Sequence, residues 1–358
     1  MFSFLIKKIV SGILTLFGVA TVVFFLFNVL PGDPAQMVLD QNATEIQLQK
    51  VKKKYGFDKS IGTQYIIYLN DLSPVSFHSN HPHDFTFYSA QKYGGFLVTS
   101  FSNYSLVLKT PYLRTSYQRQ GKKVKSIISE TLPNTFLLAV SSICIAILLG
   151  FVFGVISGIF KGTWIDSSIQ LISTVGMSLP SFFSAILFSW IFGYLLNEYT
   201  NLNMTGSLYE LDDFGEGLQL QLKNLILPAF VLGIRPLAVI VQLVRSGLIE
   251  VMSQDYITTA RAKGLSPLRI IYKHAIKNSL NPVITAVSGW FASMLAGAVF
   301  VEYVFGWRGL GKEIVNSLNT LDIPVVMGSV LIIATLFIII NTFVDLLYVV
   351  IDPQAKPF

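Results

Sequence analysis

The stretch IVSGILTLFGVATVVFFLFNVL, Ile9–Leu30, carries no charged side chain over 22 residues. Wound as an α-helix it is about 33 Å long, enough to cross a hydrocarbon core of about 30 Å. Lys7 and Lys8 precede it, as in a signal peptide. However, the run exceeds the usual apolar region of about 7–15 residues, and Pro31-Gly32-Asp33-Pro34 follows where a small-x-small cleavage site would stand. It reads as a retained first span. The rest of the chain agrees. Of its 358 residues 52% are hydrophobic and 13% charged, with a mean hydropathy of +0.59. Soluble domains carry about 25% charged residues, so an ordinary soluble domain is excluded. Cys144, the single cysteine, lies inside an apolar run and reads as a small buried residue. Alone it makes neither a disulfide nor a Cys-based metal site.

Six spans emerge: Ile9–Leu30, Asn134–Phe160, Ser168–Leu196, Leu225–Val244, Pro282–Phe305 and Val325–Ile351. The third contains Ser178-Leu179-Pro180 and is too short for two crossings, so it reads as one kinked or tilted helix. Charge sets the orientation. Arg245–Leu280 holds six basic residues against two acids, while Asn197–Asn224 holds five acids against one lysine. Short loops rich in Lys and Arg stay in the cytosol. The fold class is therefore an all-α polytopic membrane protein of about six helices, with both termini cytosolic. Residues 1–30 are a cytosolic N-terminus and first span, and 31–133 a large external segment. Residues 134–351 are a five-span core that includes the cytosolic loop 245–280, and 352–358 are a cytosolic tail. Within the external segment, Glu45–Leu69 has helical spacing. Ser73–Ser105, with His78, His81 and His83, reads as an exposed loop; no cysteine or acid cluster supports a metal site there, so the metal expectation is none.

The cytosolic loop has more order than a connector needs. Leu248, Met252 and Tyr256 recur every four residues, with Val251 and Thr259 alongside, an apolar stripe on one helix face. Gly264 stands where a helix-ending glycine would. Ser266-Pro267 follows, a hydroxyl at the N-cap with proline at the first helical position. The next helix sets Leu268, Ile271, Tyr272, Ala275 and Ile276 against Arg269, Lys273 and Lys277. The loop reads as helix, tight turn, helix. Two interfacial helices on anionic lipid would have this pattern. So would a docking element for a cytosolic protein, which gives the turn at Gly264 a purpose.

Tyr256-Ile257-Thr258-Thr259-Ala260-Arg261-Ala262-Lys263-Gly264-Leu265-Ser266-Pro267 resembles the coupling-loop motif of ATP-binding-cassette (ABC) importer permeases. It is most similar to the dipeptide, oligopeptide and nickel branch, B-type subunit. Other blocks follow in family order: Leu30–Pro34, Leu132-Pro133-Asn134-Thr135, Ser178–Phe182, Glu302–Phe305 leading to Gly309-Leu310-Gly311, and Asp345–Tyr348 leading to Asp352-Pro353. The general motif begins Glu-Ala-Ala; Thr258-Thr259-Ala260 stands here. Ser73–Ser105 resembles an insertion relative to shorter members. The resemblance implies a type I importer permease fold in the bacterial inner membrane. It also implies a second, homologous permease as heterodimer partner, two cytosolic ATPases docked on the Gly264 loop, and an external solute-binding protein. ATP and Mg would be bound by the ATPases and no cofactor by this chain. Dipeptides or oligopeptides are the expected cargo; nickel complexes, glutathione and other small solutes belong to related systems.

The chain has no G-x-x-x-x-G-K-[ST] sequence; Gly158-Ile159-Phe160-Lys161-Gly162-Thr163 has the wrong spacing. No nucleophile elbow or zinc-protease motif appears, so catalytic residues are expected to be none and the chain is not expected to be an enzyme. Arg235, followed by Pro236 in the fourth span, is the exceptional intramembrane charge. Such a charge faces the bundle interior or a water-filled cavity. It is a candidate for the translocation pathway, with Ser178 and Pro180; pairing with an acid of a partner subunit or with freed carbonyls is the structural alternative. A rival of another class, an ATP-independent secondary transporter or channel, would place acids or histidines within the spans. Here they sit mainly at span ends, and Asp345, near one such end, reads as a cap or interfacial pair.

Overall fold

The computed structural model describes residues 2–29, 35, 39, 44–212 and 217–351. The Leu30–Pro34 block, Asp213 and Glu216 of the acidic loop, Asp352-Pro353 and the rest of the tail lie outside the described residues. Among the described residues, four helices are long and apolar enough to cross a membrane singly: Leu5–Asn28, Val124–Ile159, Lys223–Met252 and Ile323–Leu346. Two further runs are broken pairs. Trp164–Ser178 with Ser181–Leu195 bends by 111°, and Pro282–Ala296 with Val299–Phe305 by 56°. Taken as one span each, they bring the total to six.

The third run is not one kinked helix. Leu179 and Pro180 both leave helical geometry, with ψ of 134° and 138°. Proline disfavours the α region for the residue before it, so Leu179 extends and Pro180 opens a fresh helix. The second run also differs from its sequence bounds. It begins at Val124 and carries Pro133 inside it.

The chain falls into two compact units, Ile6–Glu130 with Asn316–Thr335, and a remainder made chiefly of Thr131–Val315. In the first unit, Ala20, Val23 and Phe24 of the first helix bury against Tyr68, Met327 and Leu331. Phe24 stacks on Tyr68 at 5.3 Å. The segment 45–69 forms two helices, Glu45–Tyr55 and Ile61–Leu72. Thr44 and Gln47 make a capping box at the first, and Ser60 caps the second. The Ser73–Ser105 stretch is not an exposed loop. Strands β1 (Val75–Ser79), β2 (Phe96–Ser100) and β3 (Tyr104–Leu108) form an antiparallel sheet in the order β1-β3-β2. Its covered face is mostly polar: Ser76, His78 and Ser105 are buried together with Val107, while Val75, Phe77, Tyr104 and Leu108 point out; Ser79, at the end of β1, is buried as well. Period two is present but inverted, which hides the strands from a search for inward apolar residues. His78 lies 3.0 Å from the Ser76 hydroxyl, and burial, with Lys109 nearby, pushes its imidazole down to about 4.

In the second unit the helix Lys223–Met252 is central. Ile240, Val244 and Leu248, spaced by four, meet Gly150, Gly154 and Gly158, also spaced by four. A Cβ on those glycines would come within 2.9, 2.7 and 2.8 Å of the facing side chains. Small residues allow this close approach between spanning helices, where packing drives association. Cys144 is exposed, not buried; its helix turns that side away from the unit's own core.

Candidate functional site

The basic loop begins later than its charge suggests, because the central helix continues to Met252. Arg245 therefore belongs to the bundle. Its Nε and Nη2 donate to the two carboxylate oxygens of Asp166 at 2.7 and 2.8 Å. The Ser157 hydroxyl at 2.6 Å and the Gly162 N–H at 2.9 Å donate to the same carboxylate. A bidentate pair with every acceptor used is a rigid joint. It fixes the short turn at Gly162 against the base of the central helix.

Beyond Met252 the chain extends at Gln254 and re-enters a helix over Asp255–Ala262. Gly264, at φ +77°, ends it. The Gly264 N–H donates to the Arg261 carbonyl at 2.9 Å and the Leu265 N–H to that of Ala260 at 3.3 Å. These are the two bonds of a Schellman motif, which requires a left-handed residue at this position. Ser266 is extended and Pro267 opens the next helix, although the Ser266 hydroxyl makes no cap bond. A π turn over Ile271–Ala275 follows.

The loop holds its own small core of Ile257, Ala260 and Ile270, with Val251, Met252 and Leu265 against it. This redistributes the faces expected from spacing. Tyr256 is 42% exposed, Leu268 78% and Tyr272 81%, and Thr259 is also exposed. The reason is phase. The break at Ser253-Gln254 and the π turn each reset the helical angle, so residues four apart across them do not share a face. Thr258, Arg261, Ala262, Lys263, Ser266 and Pro267 are all exposed around the turn. The result is a rigid knuckle whose surface combines the exposed Tyr256, Leu268 and Tyr272 with the cations Arg261, Lys263, Arg269 and Lys273.

Arg235 is exposed on the central helix, and among the described residues no acid forms an ion pair with it. It lines a cleft with Gly176, Leu179, Ser181, Ser184 and Ser293. The structure thus brings Arg235 to the break in the third run, where Pro180 sits between Leu179 and Ser181. Neither Pro180 nor Ser178 is a lining residue; the Ser178 hydroxyl donates to the Thr174 carbonyl of its own helix at 2.8 Å.

Residues 150–357 match the model of the family described as binding-protein-dependent transport system inner membrane component, and residues 1–83 match the N-terminal model of the same kind of protein. The dipeptide transport system permease protein of Alkalihalophilus pseudofirmus is 32% identical, with 99% of this chain and 100% of the relative covered. The di/tripeptide transport system permease protein of Pseudomonas aeruginosa is 30% identical, covering 99% of each chain. The oligopeptide transport system permease protein of Bacillus subtilis is 29% identical over 99% of this chain and 100% of its own.

The chain belongs to the binding-protein-dependent transport system inner membrane components. It is an ABC importer permease, a multi-pass inner membrane protein. Permeases of this family work with a second permease, ATPase subunits and a solute-binding protein.

Two blocks that carry this kinship turn inward. Glu302 is fully buried and accepts from the Gly311 N–H at 2.7 Å and the Lys312 N–H at 3.1 Å. It thereby caps the helix Leu310–Asn319, where free N–H groups and the helix dipole favour a carboxylate. Thr135 bonds Glu302 and accepts from the Leu310 N–H at 2.7 Å. The Asn134 carbonyl accepts from the Trp307 indole at 3.1 Å, and the Asn134 amide donates to the Arg308 carbonyl at 2.8 Å. A Cβ on Gly311 would stand 2.5 Å from the Val299 Cα. Leu132–Thr135 and Glu302–Gly311 are therefore two halves of one knot in this permease. In the sequence the two blocks stand apart, with nothing to join them, and Asp166 carries no signal of its role; the spacing of Gly150, Gly154 and Gly158 is a readable sign of the stripe.

Proposed function

We propose that this permease imports peptides, di- or oligopeptides, through a pathway formed with a second permease, and that the knuckle around Gly264 couples it to a cytosolic ATPase. The observation that carries the coupling is the exposure of Leu268 and Tyr272 on a loop that has its own core. A loop meant only to connect would leave neither a packed turn nor such side chains in water. Arg261 and Lys263 beside them suit an acidic rim on the partner. Lying on lipid would explain the cations but not the Schellman turn held clear of neighbours. The positive-inside pattern supports placing this loop and both termini in the cytosol. ATP and Mg then bind the ATPases, whose closure changes their affinity for two positions of the knuckle and so shifts the bundle. Arg235 lines the pathway and meets a carboxylate of the cargo. The peptide cargo is supported by the relatives' names and by this lone guanidinium in a serine-rimmed cleft.

Two experiments test this. Peptide uptake by this chain alone in proteoliposomes, without ATPase subunits, would refute the coupled reading. Gly264→Trp should cut ATPase co-purification and peptide-stimulated ATP hydrolysis while membrane insertion stays intact. No atom lies within 4 Å of a Cβ at Gly264, so the new side chain projects outward, and the strain of a φ of +77° falls on the turn rather than on the spans.

A further inference from the structure

The cleft at Arg235 does not end at its serines. Gly176, Leu179 and Ile234 line it and also line a second, larger cavity of about 350 Å³. Phe153, Ile172, Val175, Phe188 and Phe230 bound that cavity, and Ser173 is the one hydroxyl in its lining. A polar limb and an apolar limb therefore meet at the elbow where the third run breaks. The depth of the polar limb narrows what can fill it. Arg235 lies midway along Lys223–Met252, roughly 18 Å from the helix start at about 1.5 Å per residue. A lipid phosphate stays at the interface and does not reach that level. A guanidinium at that depth needs water or an anion beside it.

We infer that the two limbs are one amphipathic site, and that it receives a carboxylate together with an adjacent bulky apolar side chain. In chemical terms this is the C-terminal residue of a peptide ending in phenylalanine, leucine or a similar side chain. The inference rests on the peptide-permease reading and adds a preference located in the permease itself. The carboxylate meets Arg235 and the serine hydroxyls. The side chain enters the apolar limb between the Trp164–Ser178 helix and the central helix. The 111° elbow is what creates the site: a straight third helix would leave no room where the two limbs join.

The test uses the complete assembly of both permeases, ATPases and binding protein in proteoliposomes. The probes are Ala-Phe, Ala-Gly and the C-terminal amide of Ala-Phe. Uptake of each probe is expressed as variant over wild type, so that the binding protein's own preference cancels. Val175→Trp and Ile172→Trp fill the apolar limb from positions 50% and 72% exposed, where added bulk spares the core. Each should reduce Ala-Phe uptake about tenfold more than Ala-Gly uptake, the range for burying one aromatic side chain. Arg235→Gln should erase the advantage of free Ala-Phe over its amide, again about tenfold, the worth of a charged hydrogen bond. Equal losses for all three probes would overturn the inference and assign the cavity to packing or to a lipid acyl chain. Unchanged ratios would overturn it too, while leaving the peptide reading intact. A wild-type assembly that hydrolyses ATP but moves none of the three probes would overturn the peptide reading, and the inference with it.

Discussion

The Glu302 knot and the Gly264 knuckle are both built on family sequence blocks, both turn on glycine, and both use a helix end. They differ in where their bonds go. At the knot, Glu302, Thr135 and Asn134 spend their hydrogen-bonding capacity on Gly311, Lys312, Leu310, Trp307 and Arg308. At the knuckle the backbone satisfies itself through the Schellman bonds, and Leu268 and Tyr272 are left outside. A sequence block can therefore mark a permease because it holds the bundle together or because it touches something else. Burial and bond inventory separate the two, and residue identity alone does not.

The comparison breaks most sharply at the knot. Gly311→Ala sets a Cβ against the Val299 backbone, which cannot rotate away. We expect a loss of about 3 kcal/mol, the upper range for overpacking, read as a fall of several degrees in thermal unfolding of the detergent-purified chain. A change under about 0.5 kcal/mol, the level of an ordinary surface substitution, would show that the knot is loose. Next comes the joint at the base of the central helix. Arg245→Ala strips Asp166 of two of its four donors and should cost about 2 kcal/mol, less than for a fully enclosed pair because Arg245 keeps 27% exposure. Arg245→Lys should restore only part of this, since an ammonium cannot match the bidentate geometry. Full rescue by lysine would mean that charge alone, not the fork, holds Asp166.

These two joints also mark the limit of what was legible beforehand. Spans are readable because 22 apolar residues in a row have one physical use. The Gly264 turn is readable because glycine, serine and proline stand at the positions that a Schellman end and a new helix require. The basic character of the loop is readable too, although Arg245, counted with it by charge, belongs to the central helix. The knot was not, because its halves lie far apart in the chain and nothing local in Leu132–Thr135 announces a partner at Glu302. Neither was the sheet Val75–Leu108, whose buried face sets serine and histidine around a single buried valine, Val107. The stripes on the loop failed at their phase: the break at Gln254 and the π turn at Ile271 leave no mark in composition. Arg235 was legible as an anomaly, and only the elbow at Leu179-Pro180 showed what stands beside it.

The knuckle itself should be tolerant of change in stability and intolerant in function. Gly264→Ala keeps the open space but forces alanine to φ +77°, a cost of about 1 kcal/mol. Because the turn belongs to a small local core, that loss should appear as faster hydrogen exchange at Ala260–Ile270 with little change in global unfolding. Protection unchanged in that segment would mean the turn is held by more than its own bonds.

The smallest expected stability effect carries the largest functional one. Leu268→Ser with Tyr272→Ser removes side chains that the chain leaves 78% and 81% exposed, so unfolding should shift by less than about 0.5 kcal/mol. If these two side chains fill a groove on the ATPase, they are central, desolvated contacts of the kind that dominate binding. Losing both should then weaken ATPase association at least tenfold, a cost of roughly 1.4 kcal/mol or more, and uncouple ATP hydrolysis from transport in the reconstituted assembly. An assembly that binds its ATPases normally after this substitution would move the contact to Arg261 and Lys263. Salt then decides: contacts made by those two cations weaken as ionic strength rises, whereas contacts made by Leu268 and Tyr272 do not.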